Sequence, residues 1–105
     1  MEVTIYWTDF AKEELHSIYN FTRIKNSAKF SKKIIKKIID SIIILKSFPE
    51  LGQIETFLQD KKQSFRFIIQ DNYKIIYWFN KPNNRIEIID IFDCRQNPIL
   101  LNRIK

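Results

Sequence analysis

Two apolar runs near the end of the chain constrain the fold most. Asn72-Tyr73-Lys74-Ile75-Ile76-Tyr77-Trp78 and Arg85-Ile86-Glu87-Ile88-Ile89-Asp90-Ile91-Phe92-Asp93 are rich in β-branched and aromatic residues, and Asn80-Lys81-Pro82-Asn83-Asn84 divides them. That pattern predicts strand, turn, strand. A further strand is expected over Ser64 to Gln70, with Asp71-Asn72 as a two-residue hairpin turn, since both residue types tolerate a positive φ. Pairing Gln70 with Tyr73 sets Ile69 opposite Lys74, Phe67 opposite Ile76 and Phe65 opposite Trp78. Arg66, Ile68, Gln70, Tyr73, Ile75, Tyr77 and Phe79 then share the reverse side.

The first half reads differently. Glu2 to Trp7 alternates Val3, Ile5 and Trp7 with Thr4 and Tyr6, as a strand does. Thr8 or Asp9 can cap a helix whose apolar stripe is Ala11, Leu15, Ile18 and Tyr19, running to about Phe21. From Ser27 to about Phe48, Phe30, Ile34, Ile35, Ile38, Ile39, Ile42 and Leu45 share one side of a second helix. Lys29, Lys32, Lys33, Lys36 and Lys37 take the other. Isoleucine is a modest helix former, so burial of the stripe must supply most of this helix's stability. Pro49 ends it, and Gly52 with Gln59 to Ser64 makes the connection.

The order is β-α-α-β-β-β: one α+β domain over residues 1–105, with two N-terminal helices packed on one face of a mainly antiparallel sheet. Ile99 to Lys105 is expected to form a short helical or extended tail. Both sides of the sheet are substantially apolar, yet only two helices can cover them. Three arrangements satisfy the open side: a partner covers it, the domain self-associates, or the C-terminal tail folds over it.

At 105 residues, 45% hydrophobic and 14% aromatic, the chain can bury a core and is not disordered. The single cysteine, Cys94, excludes an intramolecular disulfide and a cysteine-only zinc site, and the single histidine, His16, leaves no histidine-rich metal cluster. No P-loop or dinucleotide fingerprint is present, so no cofactor is expected. Apolar runs such as Ile42 to Leu45 are too short to span a bilayer, and the N-terminus lacks a charged region followed by an apolar one. These features predict a cytoplasmic protein without a membrane partner. A formal charge of +6 suits nucleic acid, a ribosome or an acidic protein.

Candidate site residues are few. Arg95 follows the last strand, where it either meets an anion or pairs with Asp93. Lys74 interrupts an apolar strand, so it must reach a sheet edge or face a ligand. Arg66 similarly interrupts Phe65 and Phe67, on the face opposite Lys74. The lysines of the second helix read as its solvated back. His16 lies off the apolar stripe of its helix. The Cys94 thiol has a guanidinium beside it but no histidine close in sequence.

Taken in order, Ile5-Tyr6-Trp7-Thr8, Ala11, Leu15, Ile18, Pro49-Glu50-Leu51-Gly52, Phe65-Arg66-Phe67, Asn72 to Tyr77 and Phe92-Asp93-Cys94-Arg95-Gln96-Asn97-Pro98 resemble the RelE/ParE superfamily of bacterial toxins. The resemblance covers essentially the whole chain. It implies the toxin half of a type II toxin–antitoxin module: small, basic, cytoplasmic, and bound by a cognate antitoxin in a toxin–antitoxin hetero-oligomer. It also implies target or antitoxin contacts through Arg66, Lys74, Tyr77, Arg95 and Asn97.

Mechanism divides this superfamily. RelE-like members cleave mRNA on the ribosome with basic strand residues and often a C-terminal tyrosine or histidine. Lys74 and Arg95 match two such positions and would be the catalytic pair of a nuclease. The positions that carry lysines in RelE-like nucleases fall here on Phe65 and Phe67, and the tyrosine position falls near Leu101. ParE-like members lack that set and poison DNA gyrase. Phe65-Arg66 and Trp7-Thr8 look nearer to them, which implies gyrase inhibition by a protein that is not an enzyme. The alternatives are an mRNA interferase and a non-toxic module that only binds an antitoxin.

Overall fold

Thr8 ends the first strand and begins the first helix with one side chain. Its Oγ1 accepts from the Ala11 amide at 3.1 Å and donates to the Ile88 carbonyl at 2.8 Å. A capping hydroxyl of this kind contributes about 1 kcal/mol, and here it also fixes the helix to the sheet. The computed structural model describes residues 3–58 and 63–95. Their elements are β1 (Thr4–Trp7), α1 (Asp9–Lys25), α2 (Ala28–Ile43), β2 (Gln53–Ile54), β3 (Phe65–Gln70), β4 (Tyr73–Asn80) and β5 (Arg85–Asp93).

The sheet order is β1-β5-β4-β3-β2, with β1 parallel to β5 and every other pairing antiparallel. The fold is therefore α+β, with the two helices on one face, as the sequence predicts. Gln70 pairs with Tyr73, Ile69 with Lys74, Phe67 with Ile76 and Phe65 with Trp78. Asp71 supplies the positive φ of the hairpin turn, at 56°.

Where the structure departs from the sequence reading, local packing explains it. α1 runs on to Lys25 because its end is braced by α2. Thr22 Oγ1 and Ser31 Oγ lie 2.6 Å apart, and Ser31 Oγ donates to the Tyr19 carbonyl at 2.7 Å. Both side chains are buried with their polar atoms satisfied, so the two helices cross closely without a desolvation penalty. α2 stops at Ile43 and tightens into a 3-10 turn over Ile44–Lys46, placing Leu45 in the core. The stretch after Gly52 is not all connection. It contains the two-residue strand β2 and a 3-10 turn over Thr56–Leu58, too short to give a periodic signal. The expected C-terminal tail lies outside the described residues.

The core lies between helices and sheet. Ile38, Ile42 and Leu45 meet Ile75, Tyr77, Ile86, Ile88 and Ile91, with Val3 and Ala11 at the β1–α1 corner. Burying each isoleucine contributes roughly 1.5–3 kcal/mol, which answers the weak helix propensity of α2. A bulge opposite Ile76 and Tyr77 lets Ile88 pair with Tyr77 while Asp90 pairs with Ile76. Strict alternation from Ile88 would have turned Asp90 into the helical core. The extra residue turns Ile91 there instead.

Candidate functional site

The side of the sheet away from the helices carries its own small core. Leu58, Phe65, Ile76 and Phe92 are buried together, with Phe67, Trp78 and Ile89 half-buried against them. The open side of the sheet is thus partly covered within the chain itself, where the segment after β2 lays Leu58 on it. Among the described residues, Ile69 is exposed on this face, and other exposed large apolar groups lie elsewhere. Phe21 and Ile24 lie on the second half of α1, and Ile43, Ile44, Phe48 and Leu51 surround the end of α2.

Lys74 rises from β4 on this face. Its Nζ is 2.5 Å from Glu55 Oε2 and 4.2 Å from the centroid of the Phe67 ring. Only 16% of the lysine side chain and 2% of the glutamate's is exposed. A lysine in an apolar strand thus finds a carboxylate rather than an open edge, and the aromatic ring adds a favourable cation–π contact. Sequence reasoning missed Glu55. Its only signal was that a largely buried ammonium needs a counter-charge, and nothing in the chain order says which acidic residue supplies it.

Arg95 follows β5 on a turn closed by two hydrogen bonds, from the Cys94 amide to the Asn72 carbonyl at 2.7 Å and from the Arg95 amide to Asp93 Oδ1 at 2.9 Å. Its guanidinium forks onto Asp93, with Nε 3.0 Å from Oδ1 and one terminal nitrogen 2.5 Å from Oδ2, while 69% of the side chain stays exposed. The hydrogen-bonded guanidinium holds the Asp93 carboxyl below its usual range, and the carboxylate in turn raises the arginine's pKa. Of the two sequence readings of Arg95, the structure shows the pairing with Asp93, and the side chain stays open to solvent. Beside it lies a groove of about 280 Å³ between α1 and the sheet, lined by Ser17, Ile18, Phe21, Tyr73 and Ile91. Burial, with Asp93 adding to it, pushes the Tyr73 phenol above its ordinary pKa.

Arg66 and Tyr77, paired across β3 and β4, clamp the Pro49–Gly52 segment. The Tyr77 hydroxyl donates to the Pro49 carbonyl at 2.8 Å and accepts from the Gly52 amide at 2.9 Å. Arg66 donates to the Gly52 carbonyl at 2.8 Å and meets Glu50 Oε2 at 3.4 Å. Tyr77 is fully buried, and burial raises its pKa. It can influence a surface only through the loop it holds. Arg66 also borders an open groove of about 580 Å³ with Trp78, Phe79 and Lys81.

The candidates thus form two groups. Lys74, laddered to Phe92, and Arg95, just past the end of β5, share one end of the sheet, and Arg66 and Tyr77 fasten a loop. Asn97 lies outside the described residues. His16 is exposed on α1, beside Lys12, Leu15 and Tyr19. The lysines of α2 are exposed, one of them paired with Asp40 at 2.7 Å. Among the described residues no three His, Cys, Asp or Glu side chains gather to hold a metal ion, and no helix is long and apolar enough to cross a membrane.

This architecture is shared with solved toxin structures. The ParDE toxin–antitoxin system of P. aeruginosa aligns with a TM-score of 0.72 at 15% identity, covering 88% of this chain and 96% of that one. The RelBE2 toxin–antitoxin complex of Mycobacterium tuberculosis aligns at 0.66 and 13% identity, over 89% and 99%. A free E. coli RelE carrying two arginine-to-alanine changes aligns at 0.64 and 10% identity, over 100% of both chains. At these identities the likeness is one of fold, the α+β fold of these RelE and ParE structures. No curated relative matches the chain in sequence. The model of the ParE toxin of type II toxin–antitoxin systems matches residues 5–98. The chain belongs to that family.

Proposed function

We propose that this protein arrests bacterial growth by a ParE-like action on DNA gyrase, and that a cognate antitoxin neutralises it by binding its surface. The observation that carries this reading is the Lys74–Glu55 pair at 2.5 Å. Cleaving a phosphodiester through a neighbouring hydroxyl requires positioned proton transfer and a cation free to meet developing charge. On this face the β3 side chains are Phe65, Phe67 and Ile69, and the β4 cation is already matched by a carboxylate. Loss of proton-transfer groups alone typically lowers a rate by about 10²–10⁴-fold. Recognition of a protein target asks for less: fixed charges and exposed apolar side chains, which Arg95, Phe21 and Ile24 supply.

Inducing the gene in bacteria, alone and with its adjacent small gene, tests the toxin–antitoxin part. Growth arrest that the neighbour relieves is the expected outcome. Indifferent growth in both cases would instead mark a binding module without a target.

A further inference from the structure

After β2 the chain does not leave the sheet. The Glu55 amide donates to the Phe65 carbonyl at 2.8 Å, and after one 3-10 turn the Leu58 amide donates to the Glu55 carbonyl at 3.2 Å. Gln53–Leu58 therefore crosses the rim of β3 and is fastened to the helix-free face at two points. Glu55 binds the Lys74 ammonium, and Leu58 packs with Phe65, Ile76 and Phe92. At its other end only Gln53 and Ile54 join the ladder, opposite Phe67 and Arg66. A short edge segment with two ladder residues opens locally at lower free energy than the central strands.

We propose that Gln53–Leu58 is a strap seated in a docking site, and that the other occupant of this site is a partner polypeptide presenting a carboxylate followed, one turn later, by a large aliphatic side chain. The strap itself displays what the site accepts. An ammonium backed by the Phe67 ring takes a carboxylate, and the neighbouring recess takes a leucine-sized group. The net charge of +6 favours an acidic partner and opposes a second copy of this chain. A competing segment has to exceed only the free energy of opening the strap, since it refills contacts that the strap gives up. The inference rests on the proposed function only in taking the partner to be a protein.

Hydrogen exchange on the full chain tests the strap. In the wild type, the amides of residues 53–58 should exchange faster than those of β4 and β5. Glu55→Gln should speed strap exchange about tenfold or more while leaving β4 and β5 unchanged. Acceleration spread over the whole domain, or none in the strap, would overturn the proposal by making the pair an ordinary core brace. The docking site is tested with a synthetic peptide of residues 51–60. It should bind a Glu55→Gln, Leu58→Ala double variant at least about tenfold more tightly than wild type, whose own strap competes. Gln and Ala at the same two peptide positions should abolish binding. Equal affinity for both proteins, or none for either, contradicts the site. Should the double variant fail to fold, the same peptide is titrated against the Glu55→Gln protein, where tighter binding than to wild type is again expected and equal affinity contradicts the site. None of these readouts depends on toxicity, so failure here and failure of the gyrase reading are distinguishable.

Discussion

The Tyr77 hydroxyl accepts from the Gly52 amide at 2.9 Å, and the same oxygen donates to the Pro49 carbonyl at 2.8 Å. A β-carbon on Gly52 would lie 2.7 Å from the Phe67 carbonyl oxygen and 2.7 Å from the tyrosine ring and hydroxyl. The chain's one glycine is thus set by close approach of a loop to a strand.

Tyr77→Phe should lower unfolding stability by about 1–3 kcal/mol, because a buried amide and carbonyl lose their shared partner. Gly52→Ala should lower it as well, by roughly 1–3 kcal/mol or more, since backbone blocks the new methyl on one side. Urea denaturation of the two variants checks both values.

The isoleucine stripe of α2 should divide by burial. Ile38 is 0% exposed and Ile39 36%. Ile38→Ala is expected to cost about 2–5 kcal/mol and Ile39→Ala much less. Equal losses in a denaturant series would contradict the packing described.

Asp93 provides a pH signature. Its carboxyl titrates below the usual range because Arg95 hydrogen-bonds the charged form. A lowered folded-state pKa means stability that is present above the unfolded value and lost as pH falls through the folded one. The pairing should therefore hold at neutral pH and through mild acid, and fail only in strong acid. Arg95→Ala should raise the Asp93 midpoint toward the ordinary carboxylate value, read by carboxyl-carbon NMR, while the fold persists.

The same Arg95→Ala variant should reduce growth inhibition, since the guanidinium is exposed at the end of the sheet and contributes little to the core. Undiminished toxicity in an induction assay would remove it from the functional surface.

Much of this was legible in the sequence because the relevant signals are local. Asp71-Asn72 sets the hairpin, the hairpin sets the register of β3 on β4, and the register decides the faces of Lys74 and Arg66. Thr8 is readable as a cap for the same reason. The remainder depends on contacts between distant segments. β2 has two residues and no pattern of its own. Glu55 finds Lys74 only once β2 lies along β3, and the bulge that turns the buried Asp90 away from the helices is invisible to simple alternation. Tyr77 looks like a surface candidate in a strand of mixed residues. Only packing shows that its hydroxyl is spent on a loop.

The central claim is tested most directly by adding the purified chain to DNA gyrase and relaxed plasmid, with ribosomes translating a defined mRNA in parallel. Loss of supercoiling with uncut message is the predicted result. Intact supercoiling together with codon-phased cuts in the message would contradict the account.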